Sequence, residues 1–225
     1  YASMIEGMDK SLGDLLANLK RHGIEDNTIV IFMSDNGAPS QAEPNKPLRG
    51  HKLTPYEGGI RVPMIVKWPG VTEPGAVCAD YLIAEDLFPS ILQMAGVTEY
   101  EQVDGVMDGV SFVPLLKEEP GYPAERALVW HFPHCYGQAP YSAIRHGDWK
   151  LIYFHLDQRY ELYNIAEDIS EEDNLFEARP DIARRLAETL RGFLRETDAL
   201  MPIVKETDKP VPLPGAPAHF EATAE

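Results

Sequence analysis

The chain has 225 residues and a mass of 25.2 kDa, with 44% apolar and 25% charged residues, a globular composition that excludes disordered, collagenous and coiled-coil classes. Thirty-six acids against 20 Lys and Arg leave a net charge of −16, which argues against nucleic acid as a partner, because phosphate binding relies on cationic surface. No apolar run approaches the roughly 20 residues of a spanning helix.

From Ala2 to His22 the apolar residues Met4, Ile5, Met8, Leu12, Leu15, Leu16 and Leu19 fall at steps of three and four, the spacing of an amphipathic helix. Gly23 ends it. Thr28–Met33 is an unbroken, largely β-branched run, the signature of a strand buried on both faces in a parallel sheet covered by helices. Helix, short loop and buried strand make half of a doubly wound α/β unit. Ile60–Trp68 predicts a further strand, stopped by Pro69-Gly70, and Glu85–Ala95 a short helix ended by Gly96. After about residue 120 the pattern changes. The runs 127–132, 143–146, 149–154 and 160–163 are β-prone and separated by turn residues, predicting a small antiparallel sheet. Pro180–Thr197 predicts one long helix, with Ile182, Leu186, Leu190, Phe193 and Leu194 on its apolar face. Five prolines between Pro202 and Pro217 predict an extended tail over the surface. The organisation expected is an α/β piece over 1–120, an α+β subdomain over 121–201 and a Pro-rich tail over 202–225.

The two cysteines, Cys78 and Cys135, lie far apart and outside any CxxC spacing. They spell out neither a disulfide scaffold nor a zinc site; one disulfide is possible, and buried free thiols are expected.

Three places carry candidate chemistry. Asp35-Asn36 follows the first strand, at the end where open α/β sheets bind ligands. A carboxylate beside an amide oxygen suits a hard cation, although Asp-Asn-Gly also reads as a plain turn. Lys52, in a Gly-bordered loop between Arg49 and Arg61, offers three donors to a tetrahedral anion, or is a solvated loop lysine. His131 and His134 stand three apart around Pro133, which disfavours a helical zinc pair and favours substrate hydrogen bonding or a loop role. Trp130, Tyr136 and Tyr141 could stack on a sugar or belong to the core, with Arg145 and Lys150 adding positive charge nearby. The acidic run 167–173 reads as a solvated loop.

Taken together, these residues resemble the sulfatase family of the alkaline-phosphatase-like superfamily. The resemblance runs through Tyr1–Gly13, Asn27–Gly37, Lys52 with Tyr56–Pro63 and Trp68–Gly70, and then Asp108–Leu116, Gly147–Ile152 and Glu161–Asn164. The segment Trp130–His134 is similar to members acting on sulfated polysaccharides. The resemblance implies an alkaline-phosphatase-like sheet sandwiched by helices, continued by the small subdomain. It implies hydrolysis of a sulfate ester on a sulfated carbohydrate or an aryl sulfate. Asp35 and Asn36 would ligate Ca²⁺, or less suitably Mg²⁺, and Lys52 would hold the sulfate and serve catalysis. His131, His134 and Arg145 would meet the substrate. A periplasmic or extracellular location follows from that substrate alone.

The family's nucleophile is a formylglycine made within Cys/Ser-x-Pro/Ala-x-Arg, and neither Cys78-Ala-Asp-Tyr-Leu nor Cys135-Tyr-Gly-Gln-Ala fits that pattern. The chain therefore resembles the C-terminal part of a sulfatase, with formylglycine expected only in a segment upstream. The chain alone is expected to show no turnover, and to associate with itself or with the N-terminal part. Two alternatives stand beside this reading: a phosphatase or phosphonate hydrolase of the same superfamily, or a noncatalytic piece that binds anionic glycan.

Overall fold

The computed structural model describes residues 1–40, 45–97 and 107–215. They divide into two compact units that are discontinuous in sequence: Tyr1–Ser34 with Pro63–Ala124, and Asp35–Val62 with Glu125 onward.

In the first unit, helix α1 (Ala2–Arg21) forms where the apolar spacing predicts it. Strand β1 (Val30–Met33) pairs antiparallel with β2 (Met64–Lys67), in the register Val30 to Lys67 and Met33 to Met64. This corrects the parallel, doubly buried strand: β1 is half-buried throughout. An unbroken apolar run signals contact on two faces but carries no information on strand direction. The predicted second strand is also shorter, because residues 57–60 wind into a single helical turn, α2 (Glu57–Ile60), and Pro63 separates it from β2. Helix α3 (Leu87–Met94) and the short α4 (Val113–Leu116) are joined through buried polar groups. The buried Asp86 carboxylate accepts the Val110 N–H at 2.8 Å, and the Ser90 hydroxyl accepts the Phe112 N–H at 2.9 Å.

The second unit contains a four-stranded antiparallel sheet in the order β3-β4-β5-β6, formed by Ala127–Phe132, Tyr141–His146, Trp149–Phe154 and Tyr160–Asn164. The period of two along a strand sorts its side chains onto two faces. Ile144, Leu151, Tyr153 and Leu162 pack against Ile182, Leu186, Leu190 and Leu194 of helix α5 (Pro180–Glu196). Tyr141, Ala143, Ile152, Phe154 and Tyr163 form a second cluster on the other face, against which Tyr56 packs. The proline-rich stretch is not simply draped over the surface. It turns back as a hairpin of β7 (Ile203–Val204) and β8 (Lys209–Pro210), and Val211 is buried in the α5 cluster. The end of the expected tail, from 216, lies outside the described residues. Cys78 and Cys135 are free and exposed rather than buried.

Candidate functional site

The second unit brings Asp35-Asn36 and the Lys52 loop together by backbone contact. The Gly37 N–H donates to the Gly59 carbonyl at 3.1 Å, and the Lys52 N–H donates to the Ala38 carbonyl at 2.9 Å. The approach leaves no room for a side chain: a Cβ at Gly37 would stand 1.9 Å from the Gly58 oxygen, and one at Gly59 2.2 Å from the Thr54 oxygen. Asn45 closes the same loop, its amide donating to the Gly58 carbonyl at 2.8 Å. Asp35 and Lys52 are exposed and Asn36 half-buried, while Gly37, Gly58 and Gly59 beneath them are buried. Leu53, next to Lys52, sits at φ 78°, a strained region for a branched side chain that the surrounding bonds must hold.

Beneath this loop lies a cluster of buried charges. Lys150 points from β5 to the same face as Ile152 and Phe154 and is fully buried. Its ammonium lies 3.0 Å from a Glu57 oxygen and 2.9 Å from a Glu171 oxygen. Arg145 of β4 reaches the other Glu57 oxygen at 3.3 Å, and Arg61 approaches the same oxygen from the rim at 3.7 Å. The Glu57 N–H donates to Glu171 at 2.7 Å, so the two acidic residues are bonded to each other as well as to the lysine. Burial pushes the Glu171 carboxyl above the ordinary carboxylate range, against the pull of Lys150. Buried charges persist only when paired and hydrogen-bonded in this way.

A second clamp stands beside it. Arg49 donates to the Glu171 carbonyl at 2.6 Å and to the Tyr163 hydroxyl at 2.9 Å, with its guanidinium 3.9 Å from the centre of the Tyr56 ring. Both the Tyr56 and Tyr163 hydroxyls donate to Glu161, at 2.9 and 2.8 Å. Burial and the Glu161 carboxylate push the Tyr56 phenol up to about 12.

The remaining expected residues fall in different places. Arg145 is buried and engaged with Glu57, so it reaches the loop from below. His131 lies on the α5 face of the sheet, across from Ser142, with one ring nitrogen 2.9 Å from the Ser142 hydroxyl and the other 2.9 Å from the Leu200 carbonyl. The same hydroxyl is 2.8 Å from His155, a fully buried imidazole that burial, and then His131, lower to about 4. The structure thus ties His131 into the fold and does not bring it to Lys52. His134 is exposed, its ring edge-on to Phe132 at 5.9 Å. Glu171 corrects the solvated reading of the acidic run, for it is fully buried.

The sequence names Lys150 only for its positive charge and singles out neither Glu57 nor Glu171, although the three form the buried cluster under the loop. Lys150 had a signal, a lone ammonium inside the apolar strand Trp149–Phe154. Among the described residues no three His, Cys, Asp or Glu side chains converge as a metal site.

Residues 1–97 match the family described as Sulfatase, and residues 51–197 the one described as N-sulphoglucosamine sulphohydrolase, C-terminal. A sulfatase of Formosa agariphila is 36% identical across 95% of this chain and 43% of its own length. The crystal structure of Ps i-CgsB in complex with k-i-k-neocarrahexaose superimposes with a TM-score of 0.72 at 30% identity, over 86% of this chain and 42% of that one. The structure of BT4656 in complex with its substrate D-glucosamine-2-N,6-O-disulfate gives a TM-score of 0.72 at 26% identity, over 88% and 40%. The chain therefore spans less than half the length of each of these relatives.

Proposed function

The chain belongs to the sulfatase family, and from that membership we propose that it forms the cation- and anion-holding part of a site that hydrolyses a sulfate ester on a sugar. The observation that carries this reading is the pair of backbone hydrogen bonds, Gly37 to Gly59 and Lys52 to Ala38, that ties the Asp35-Asn36 turn to the lysine loop. Asp35 and Asn36 would hold Ca²⁺. Their two oxygens fit a hard cation in kind, and as part of a shell of about six to eight oxygens they leave the rest to water, substrate and other protein groups. Mg²⁺, which demands near-ideal octahedral geometry and loses water reluctantly, fits less well. A bound Ca²⁺ would offset the charge of the sulfate. The Lys52 ammonium would donate to a sulfate oxygen and steady charge that grows as the ester bond breaks. Arg145 acts through Glu57, by fixing the loop rather than touching substrate. No nucleophile is assigned to these residues.

The sulfated-sugar substrate rests on relatives such as the protein bound to D-glucosamine-2-N,6-O-disulfate. A polysaccharide substrate implies work in the periplasm or outside the cell; no helix among the described residues is long and apolar enough to cross a membrane.

Calorimetry of the purified chain tests the reading. Asp35→Asn is expected to weaken Ca²⁺ binding about tenfold or more, and Lys52→Ala to weaken sulfate binding while leaving Ca²⁺ binding alone. Binding that is indifferent to both substitutions would overturn the site. Titration with phosphate in place of sulfate separates the phosphatase alternative. The chain alone is expected to leave 4-nitrophenyl sulfate intact, and measured turnover would refute the assignment of no nucleophile.

A further inference from the structure

Three aromatic residues of the segment 130–141 are candidates for stacking on a sugar, and the structure separates them. Tyr141 is 5% exposed and stacks on Phe132 with ring centres 5.6 Å apart, and Trp130 packs partly buried against the same cluster, so both belong to the core. Tyr136 is 72% exposed, more than any other aromatic residue among those described. It projects from the loop joining β3 to β4, and that loop is pinned. At its far end Pro140 is buried, and its carbonyl accepts the His155 N–H at 3.0 Å. At its middle Gly137 has φ 67°, and a Cβ there would stand 3.0 Å from the Leu53 side chain. Leu53 follows Lys52, and Tyr136 precedes Gly137. Consecutive Cα atoms are about 3.8 Å apart, so Tyr136 and Lys52, both exposed, stand one residue to either side of a single loop-to-loop approach.

We propose that Tyr136 is the residue of this site that recognises the sugar, its ring stacking on the C–H face of the pyranose whose sulfate Lys52 holds. The assignment rests on the function proposed above and adds what selects a sulfated sugar over sulfate alone. A tyrosine supplies a large flat apolar surface and a polar edge with few torsions to restrict. Lysine supplies a compact charge for the anion. A net charge of −16 repels a polyanionic glycan at long range, and ring contact supplies an attraction that does not depend on charge. The pinned loop fixes where the ring starts from, and the neighbouring exposed His134 adds a donor for a sugar hydroxyl.

The test uses the Ca²⁺-saturated chain, with sodium sulfate and D-glucosamine-2-N,6-O-disulfate as probes. The wild type is expected to bind the sugar more tightly than sulfate. Tyr136→Ala should weaken sugar binding about tenfold and leave sulfate binding unchanged, while Tyr136→Phe keeps most of the sugar affinity. Saturation-transfer NMR should carry magnetisation from tyrosine ring protons to sugar C–H protons, and lose that transfer in Tyr136→Ala. Sugar binding that survives Tyr136→Ala, or a loss shared equally by sulfate, overturns the assignment while the sulfate site stands. A wild-type chain that binds neither probe overturns the proposed function, and the assignment with it.

Discussion

Helices α1 and α5 carry the same kind of sequence pattern and meet different fates. Each spaces its apolar residues three and four apart. Helix α5 buries Ile182, Ala183, Leu186, Ala187, Leu190 and Leu194, whereas α1 buries none, and its Met4 is 73% exposed. The two units differ in the same way. The second surrounds its sheet with apolar clusters and a paired set of buried charges; in the first, Ile65, Val77, Phe88 and Ile91 remain exposed. Amphipathic spacing therefore specifies a face and not its partner. Stability is expected to concentrate in the second unit.

That contrast can be broken or sharpened in urea unfolding followed by circular dichroism. The largest effect is expected from Lys150→Met, which leaves Glu57 and Glu171 facing each other without their shared cation. Removing one partner of a buried ion pair costs about 3–5 kcal/mol. The double variant Lys150→Met, Glu171→Gln should recover much of this, since Glu57 then keeps Arg145 and Arg61 as its ionic partners and no second carboxylate is left without a cation. A single variant as stable as the wild type would show that the cluster is not closed to water.

Leu186→Ala comes next. It removes a fully buried side chain from the α5 cluster and should cost about 2–5 kcal/mol. A smaller effect follows from His155, held neutral with its pKa lowered to about 4 from 6.5. The unfolded chain takes up that proton first, so the contribution is complete above pH 6.5 and is lost as pH falls toward 4, in total about 3 kcal/mol at most. Replacing His155 with Phe should flatten that part of the stability–pH curve; an unchanged slope would assign it to other groups. The smallest effect belongs to Met8→Ala on α1, expected within about 0.5 kcal/mol because the side chain is exposed. A loss comparable to that of Leu186→Ala would erase the contrast between the helices.

What the sequence made legible is local. Helix α5 and strands β3 to β6 announce themselves by their periods, each within a residue or two of the expected bounds. Asp35, Asn36 and Lys52 stand out because their residue types suit a cation and an anion. What stayed illegible depends on distant partners. The antiparallel pairing of β1 with β2 depends on the path of the chain between residues 34 and 63. Nothing local marks Glu171 among the acids from 167 to 173 as the one that turns inward, because its reason is Lys150 on another strand. His131 reads as a substrate-bonding or loop residue until the alternation of β3 puts it on the α5 side of the sheet, opposite Ser142.

The ion pair between Glu57 and Lys150 spans 93 positions in sequence. As the polypeptide leaves the ribosome, Glu57 emerges long before the ammonium that neutralises it, and the turns carrying Asp35 and Lys52 wait with it. Contacts of such separation form late because the intervening chain must first be closed. Ribosome-stalled nascent chains ending before β5 should therefore leave the segment 35–62 open to protease, and chains extended past β6 and α5 should protect it.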